Sequence, residues 1–232
     1  MKKNKLILFS ALIFASTLIF TSCNDKDDTN ILVPNALVTV KPLDNGNEFY
    51  LQLDENTAVK PVNVTKSPYG NKQVRALINY EDVKDASITS AYKPIVLNYM
   101  DSIRTKGMVP NLGEVDNLKE YGNDPLDIVN DWITVVEDGY LTIRFRTFWG
   151  YTTITHSLDL VYGTNPKDPY EVVLHHNNHG DFNERVADGI IAFDLSKLPD
   201  TNGDYVNLKV KWNSIAHRGY KTAIFKYKTR AN

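Results

Sequence analysis

From residue 36 onward, apolar and polar residues alternate in short runs separated by turn dipeptides such as Asn45-Gly46 and Asp138-Gly139. No amphipathic stretch is long enough to build a helical layer. A polar break at residues 111–131 divides the runs into a set of five and a set of seven. These three observations predict an all-β protein, with a small five-stranded barrel followed by a seven-stranded β-sandwich.

The first element is a leader. Lys2, Lys3 and Lys5 precede an apolar run, Leu6–Phe20, of fifteen residues. As a helix it would cover about 22 Å, short of the roughly 30 Å hydrocarbon core, so it reads as a cleaved signal peptide and not as a membrane span. The run ends in "FTSC", with small Ser22 before Cys23. That arrangement resembles a bacterial lipobox, although Phe20 stands where leucine is commoner. Residues 1–22 are therefore expected to be removed, leaving acylated Cys23 as a membrane anchor. Cys23 is the only cysteine of the chain. A lipid there leaves no thiol for a disulfide, and burial alone must hold the fold.

Full length carries 26 basic and 28 acidic side chains; removing the three leader lysines leaves 23 against 28, a balance of −5. A mildly acidic chain lacks the clustered basic face that nucleic-acid binding needs. The residues after Cys23, "NDKDDTN", form a polar tether extending to residue 35. Lys26-Asp27-Asp28 resembles the acidic signal that directs such lipoproteins to the cell surface, and it serves equally as a solvated spacer.

The barrel elements follow in order. "ALVTVKPLDNGNEFYLQL" is two strands around Asn45-Gly46, a dipeptide that supplies the positive φ of a hairpin. "AVKPVNV" (58–64) is a third, expected at an edge because Pro61 cannot donate to a ladder. "KQVRALINYEDV" (72–83) places Val74, Ala76, Ile78 and Tyr80 on one face and Gln73, Arg75 and Asn79 on the other. "KPIVLNYMDSI" (93–103) is the fifth. Five short strands in this span suit a barrel of oligonucleotide/oligosaccharide-binding (OB) type, assigned residues 36–115.

Residues 111–131 carry glycines, Asp124-Pro125 and scattered acids, the marks of a linker with at most a helical turn or two. The sandwich, residues 116–232, follows with "WITVVE", "YLTIRFRTFW", "ITHSLDLVY", "YEVVLHHN", "GIIAFDL", "YVNLKVKWN" and "YKTAIFKYK". The cleanest is 205–213, with Val206, Leu208, Val210 and Trp212 inward.

The lipobox, "HSLDLVYGTNPKDPYEVVLHH", "GIIAFDLSKLP" and "VNLKVKWNS" together resemble the NigD-like family of Bacteroidota lipoproteins. The resemblance implies an OB-type N-terminal domain and a C-terminal β-sandwich. The family's name comes from a gene of a bacteriocin operon, which implies an immunity role; it brings no catalytic residues.

The residues themselves offer little chemistry. "HHNNHGD" (175–181) has two histidines at the spacing of a helical zinc motif, but the preceding "YEVVL" is a strand, and His176 occupies the place of the required glutamate. On a strand His175 and His176 point apart. A turn could gather His176, His179 and Asp181, yet no fourth ligand is identified, so no metal is expected. "DTNGDY" (200–205) lacks the closing glutamate of a calcium loop and reads as a tight hairpin turn. Asp124, Asp127 and Asp131 suit capping and solvation better than paired catalysis. There is no nucleophile elbow, phosphate-cradling loop or cysteine nucleophile.

"FRTFWGY" (145–151) remains. Exposed aromatic rings stack on sugars or anchor protein interfaces, and Phe148, Trp149 and Tyr151 are the candidate ligand-binding residues. The competing expectation is that, with Phe145 and Trp149 on one face and Phe148 on the other, one set fills the sandwich core and the other a domain interface. The expected function is a non-enzymatic binding lipoprotein of the outer membrane without cofactors, immunity-like, with a protein partner; the alternative is a glycan-binding accessory at the cell surface.

Overall fold

The computed structural model describes residues 32–84, 91–150, 153–181 and 185–230. The leader, Cys23 and most of the tether lie outside the described residues. Strands β1 (Ala36–Leu43), β2 (Glu48–Gln52), β3 (Ala58–Pro61), β4 (Val74–Asp82) and β5 (Lys93–Ser102) close into a barrel in the order β1-β2-β3-β5-β4. All neighbours are antiparallel except β3 and β5. The five runs read from the sequence fall on these strands. Alternate residues, among them Val38, Val40, Phe49, Leu51, Val59, Ile78 and Ile95, point inward and are buried.

Two local features differ from expectation. The strand carrying Pro61 is not an edge, because closure removes edges altogether. Pro61 ends β3, so its missing N–H costs no interior ladder bond, and Val62 resumes pairing by donating to Ile95 O at 2.9 Å. The turn at Asn45-Gly46 is also longer than a two-residue hairpin. Leu43 pairs with Glu48, and Asp44, Asn45 and Gly46 all have positive φ. Gly46 is required there: a Cβ would lie 2.8 Å from the Gly70 carbonyl.

The chain crosses from barrel to sandwich at buried Ile103, upstream of residue 115. Strand β6 (Arg104–Gly107) already pairs with a sandwich strand, and β7 (Val109–Pro110) with another. The segment 111–131 holds α1 (Glu114–Tyr121) and β8 (Asp127–Ile128) and packs as part of the sandwich. Leu126, 1% exposed, explains why: it is a core residue in a stretch otherwise polar enough to read as a linker.

The seven predicted sandwich runs become β9 (Val135–Glu137), β10 (Tyr140–Trp149), β11 (Ser157–Tyr162), β12 (Glu171–Asn177), β13 (Arg185–Asp194), β14 (Val206–Ser214) and β15 (Gly219–Tyr227). The three short strands β6, β7 and β8 complete two sheets. One runs β6-β13-β10-β8, with β9 also on β10; the other runs β15-β14-β12-β11-β7. Leu141, Ile143 and Phe145 of the first sheet meet Leu160, Val172, Leu174, Leu208, Val210 and Trp212 of the second. The β9–β10 hairpin is a two-residue turn in which Asp138 and Gly139 have φ of 48° and 74°, the type I′ geometry that matches strand twist.

The outer face of the first sheet is covered by the barrel. Leu37 and Leu77 of the barrel pack with Ile103 against Val135, Ile190 and Ala192. Arg75 is fully buried in this seam. Lys41 adds an ion pair to Asp138 at 2.7 Å. Among the described residues no helix is long and apolar enough to cross a membrane.

Candidate functional site

Strand β10 ends in a cluster that the sequence spreads over forty residues. Its inward positions are Phe145, Thr147 and Trp149. The Phe145 ring lies over Gly189 of β13, where a Cβ would stand 2.5 Å from Cζ. The Trp149 indole donates from Nε1 to Ala187 O at 3.0 Å. Its ring stacks on His156, with centroids 4.3 Å apart and planes 15° apart.

His156 is fully buried in its side chain and bridges two partners. Nε2 lies 3.3 Å from Asp181 Oδ2, and Nδ1 lies 3.0 Å from His176 Nε2. Asp181 also accepts from the Gly150 amide at 2.7 Å, which ties the end of β10 to the turn after β12. In the tautomer whose Nε2–H donates to the carboxylate, His156 Nδ1 accepts from His176 Nε2–H. Burial first, and the neighbouring His156 second, push His176 down to about 4, against the opposing pull of Asp124. His176 is thus uncharged at neutral pH.

Beside this stack lies a cleft of about 330 Å³, walled by Phe145, Trp149, Ile154, Leu158 and Ile190, with Arg104 and Lys106. Lys106 is paired with Asp159, whereas Arg104 is exposed and has no ion-pair partner among the described residues. The lining is mostly apolar with a few polar groups, the build of a binding pocket. The histidine pair is locked and covered by the indole. It supports the wall of the cleft from behind Trp149.

The predicted residues separate accordingly. Trp149 lines the cleft. Phe148 stands on the opposite face of β10, across from exposed Val186, beside the pairs that Arg144 and Arg146 make with Asp188. That is the end of β10 remote from the seam, so Phe148 does not fill the barrel interface. Tyr151 lies outside the described residues. His175 and His176 point apart, as their strand requires. His175 is buried and donates from Nδ1 to Gly122 O at 2.6 Å. His179 is exposed on a turn with φ of 51°. Among the described residues no three His, Cys, Asp or Glu side chains are grouped to hold a metal ion.

The aspartates are engaged separately. Asp124 accepts from the Asn178 amide, Asp127 from Ser214 and Ala216, and Asp131 from Arg144. The 200–205 turn is tight, with Asn202 and Gly203 at φ of 53° and 86°, but it carries the chain between the two sheets and closes no hairpin. The residue that sequence reasoning missed is His156, which stands alone in "ITHSLDL". The signal was the register of the β11–β12 hairpin: pairing Leu158 with His176 brings His156 to the end of β12.

Two family models match the chain: the NigD-like N-terminal OB domain over residues 37–103 and the NigD-like C-terminal beta sandwich domain over residues 107–227. Among solved structures, a protein described as toxin-related from Parabacteroides distasonis is 33% identical with a TM-score of 0.68, covering 84% of this chain and 92% of its own. A protein of unknown function from Bacteroides vulgatus is 26% identical with a TM-score of 0.66, covering 83% and 89%. A NigD-like immunity protein from Bacteroides caccae shares the fold at 18% identity and a TM-score of 0.60, covering 83% and 96%. No curated protein matches the chain in sequence.

Proposed function

The chain belongs to the NigD-like family, and from that premise we propose that it is a non-enzymatic binding protein of the outer membrane, anchored by lipid on Cys23. Its role is immunity-like: it captures a protein toxin or shields that toxin's target. The immunity protein from Bacteroides caccae, a relative in fold, supports this reading.

The observation that carries it is the cleft beside Trp149. Its wall is held by an indole locked at Nε1 and stacked on His156, so the surface is formed in advance and ordering it on binding costs little. An apolar anchor of a partner protein fits such a wall. A sugar ring fits less well, since one face of the indole is already covered by His156.

Capture from intact envelopes tests the reading. The wild-type protein is expected to retain one discrete protein partner that a Trp149→Ala variant does not. Retention of polysaccharide with no protein would turn the reading to the glycan-binding alternative.

A further inference from the structure

Of eleven exposed large apolar residues among those described, five lie on or beside one face: Leu112, Val115, Leu118, Tyr220 and Ile224. That face is the outer surface of the second sheet, where α1 lies against β11 and β12 and leaves β14 and β15 uncovered. Between α1 and Tyr220 runs a groove of about 260 Å³ whose floor includes Leu118, Val173 and His175. An apolar concentration of this kind around a groove marks a contact site.

The charges on the two walls indicate the occupant. Glu114 stands on the helix side and Lys211 on the strand side. Lys211 leans over the Tyr220 ring at 4.6 Å, and neither it nor Glu114 has an ion-pair partner among the described residues. The same face therefore carries an acid, a base, an apolar groove and a projecting apolar residue, Val115, which is 78% exposed. It holds both halves of a contact. A two-fold axis between the walls would bring Val115 of each copy to the other's groove and Glu114 to Lys211 twice.

We propose that this face is a two-fold interface with a second copy of the chain. It lies apart from the Trp149 cleft, so dimerisation leaves that cleft open. Closure of the symmetry also prevents the lipid-anchored chains from growing into open filaments.

Sedimentation equilibrium of the purified protein in density-matched detergent tests this. The expected species is a dimer, and Val115→Asp is expected to return it to a monomer with an unchanged circular-dichroism spectrum. Glu114→Lys and Lys211→Glu each place like charges at both symmetric contacts and are expected to weaken the dimer about tenfold. The two combined in one chain restore it. A monomer throughout the micromolar range, a dimer that Val115→Asp leaves intact, or a double variant no tighter than the single ones would overturn the proposal.

Discussion

Arg75 Nη2 lies 3.2 Å from Glu137 Oε2 across the seam between barrel and sandwich, with the arginine side chain fully buried. Its other nitrogens donate to Thr39 at 3.0 Å and Thr142 at 3.2 Å, so one guanidinium ties β1 and β4 to β9 and β10. Burial pushes Arg75 down from its usual range and Glu137 up, and each charge opposes the other's shift. Removing one partner of such a pair strands the other. Arg75→Ala is expected to cost roughly 3 kcal/mol, the low end for a broken buried pair because Glu137 keeps some solvent contact. Urea denaturation checks this; a loss under 1 kcal/mol would remove the seam's assigned keystone.

Gly189 is required by Phe145 rather than by its own backbone. A methyl group there would stand 2.5 Å from Cζ of the ring that walls the cleft. Gly189→Ala is expected to cost about 2 kcal/mol as the ring is displaced. The thermal midpoint and the near-ultraviolet spectrum report both effects. An unchanged midpoint would mean that the ring yields freely.

The buried histidine pair gives the fold an acid limit. His176 titrates near 4 in the folded chain, below its ordinary 6.5. Above pH 6.5 both states are neutral there and the group contributes nothing. As pH falls below 6.5 the unfolded chain takes up the proton first, and stability is lost progressively until about pH 4. At pH 5 the loss is about 2 kcal/mol relative to pH 7. Denaturation of wild type and His176→Gln at both pH values isolates the effect. Equal pH dependence in the two proteins would assign it to other groups.

Anchoring at Cys23 is tested by fractionation. Cys23→Ala is expected to lose acyl labelling and leave the membrane fraction. Full retention in that fraction would place the anchor elsewhere.

Much of the fold was legible in the sequence because strand alternation is a local signal, and each apolar run from Ala36 to Tyr227 lies on an observed strand. Contacts on the outer faces were less legible. Alternation placed Arg75 on the outer face of β4, which is correct; that the sandwich covers this face is a tertiary fact with no local mark. The same holds for residues 111–131, where a single core residue, Leu126, turns an apparent linker into part of the sandwich. At the candidate site, the aromatic neighbourhood marks Trp149 as a candidate, and the structure places it on the wall of the cleft. His156 carries no such mark, since only strand register brings it to Trp149 and His176.

The most direct test of an immunity-like role is survival of a strain lacking the protein when challenged with bacteriocins of related Bacteroidales. Restoring the wild-type chain is expected to protect, while Trp149→Ala, expressed and membrane-bound at the same level, is expected to protect far less. Equal killing with and without the wild-type chain, across producers that kill the deletion strain, would contradict the role.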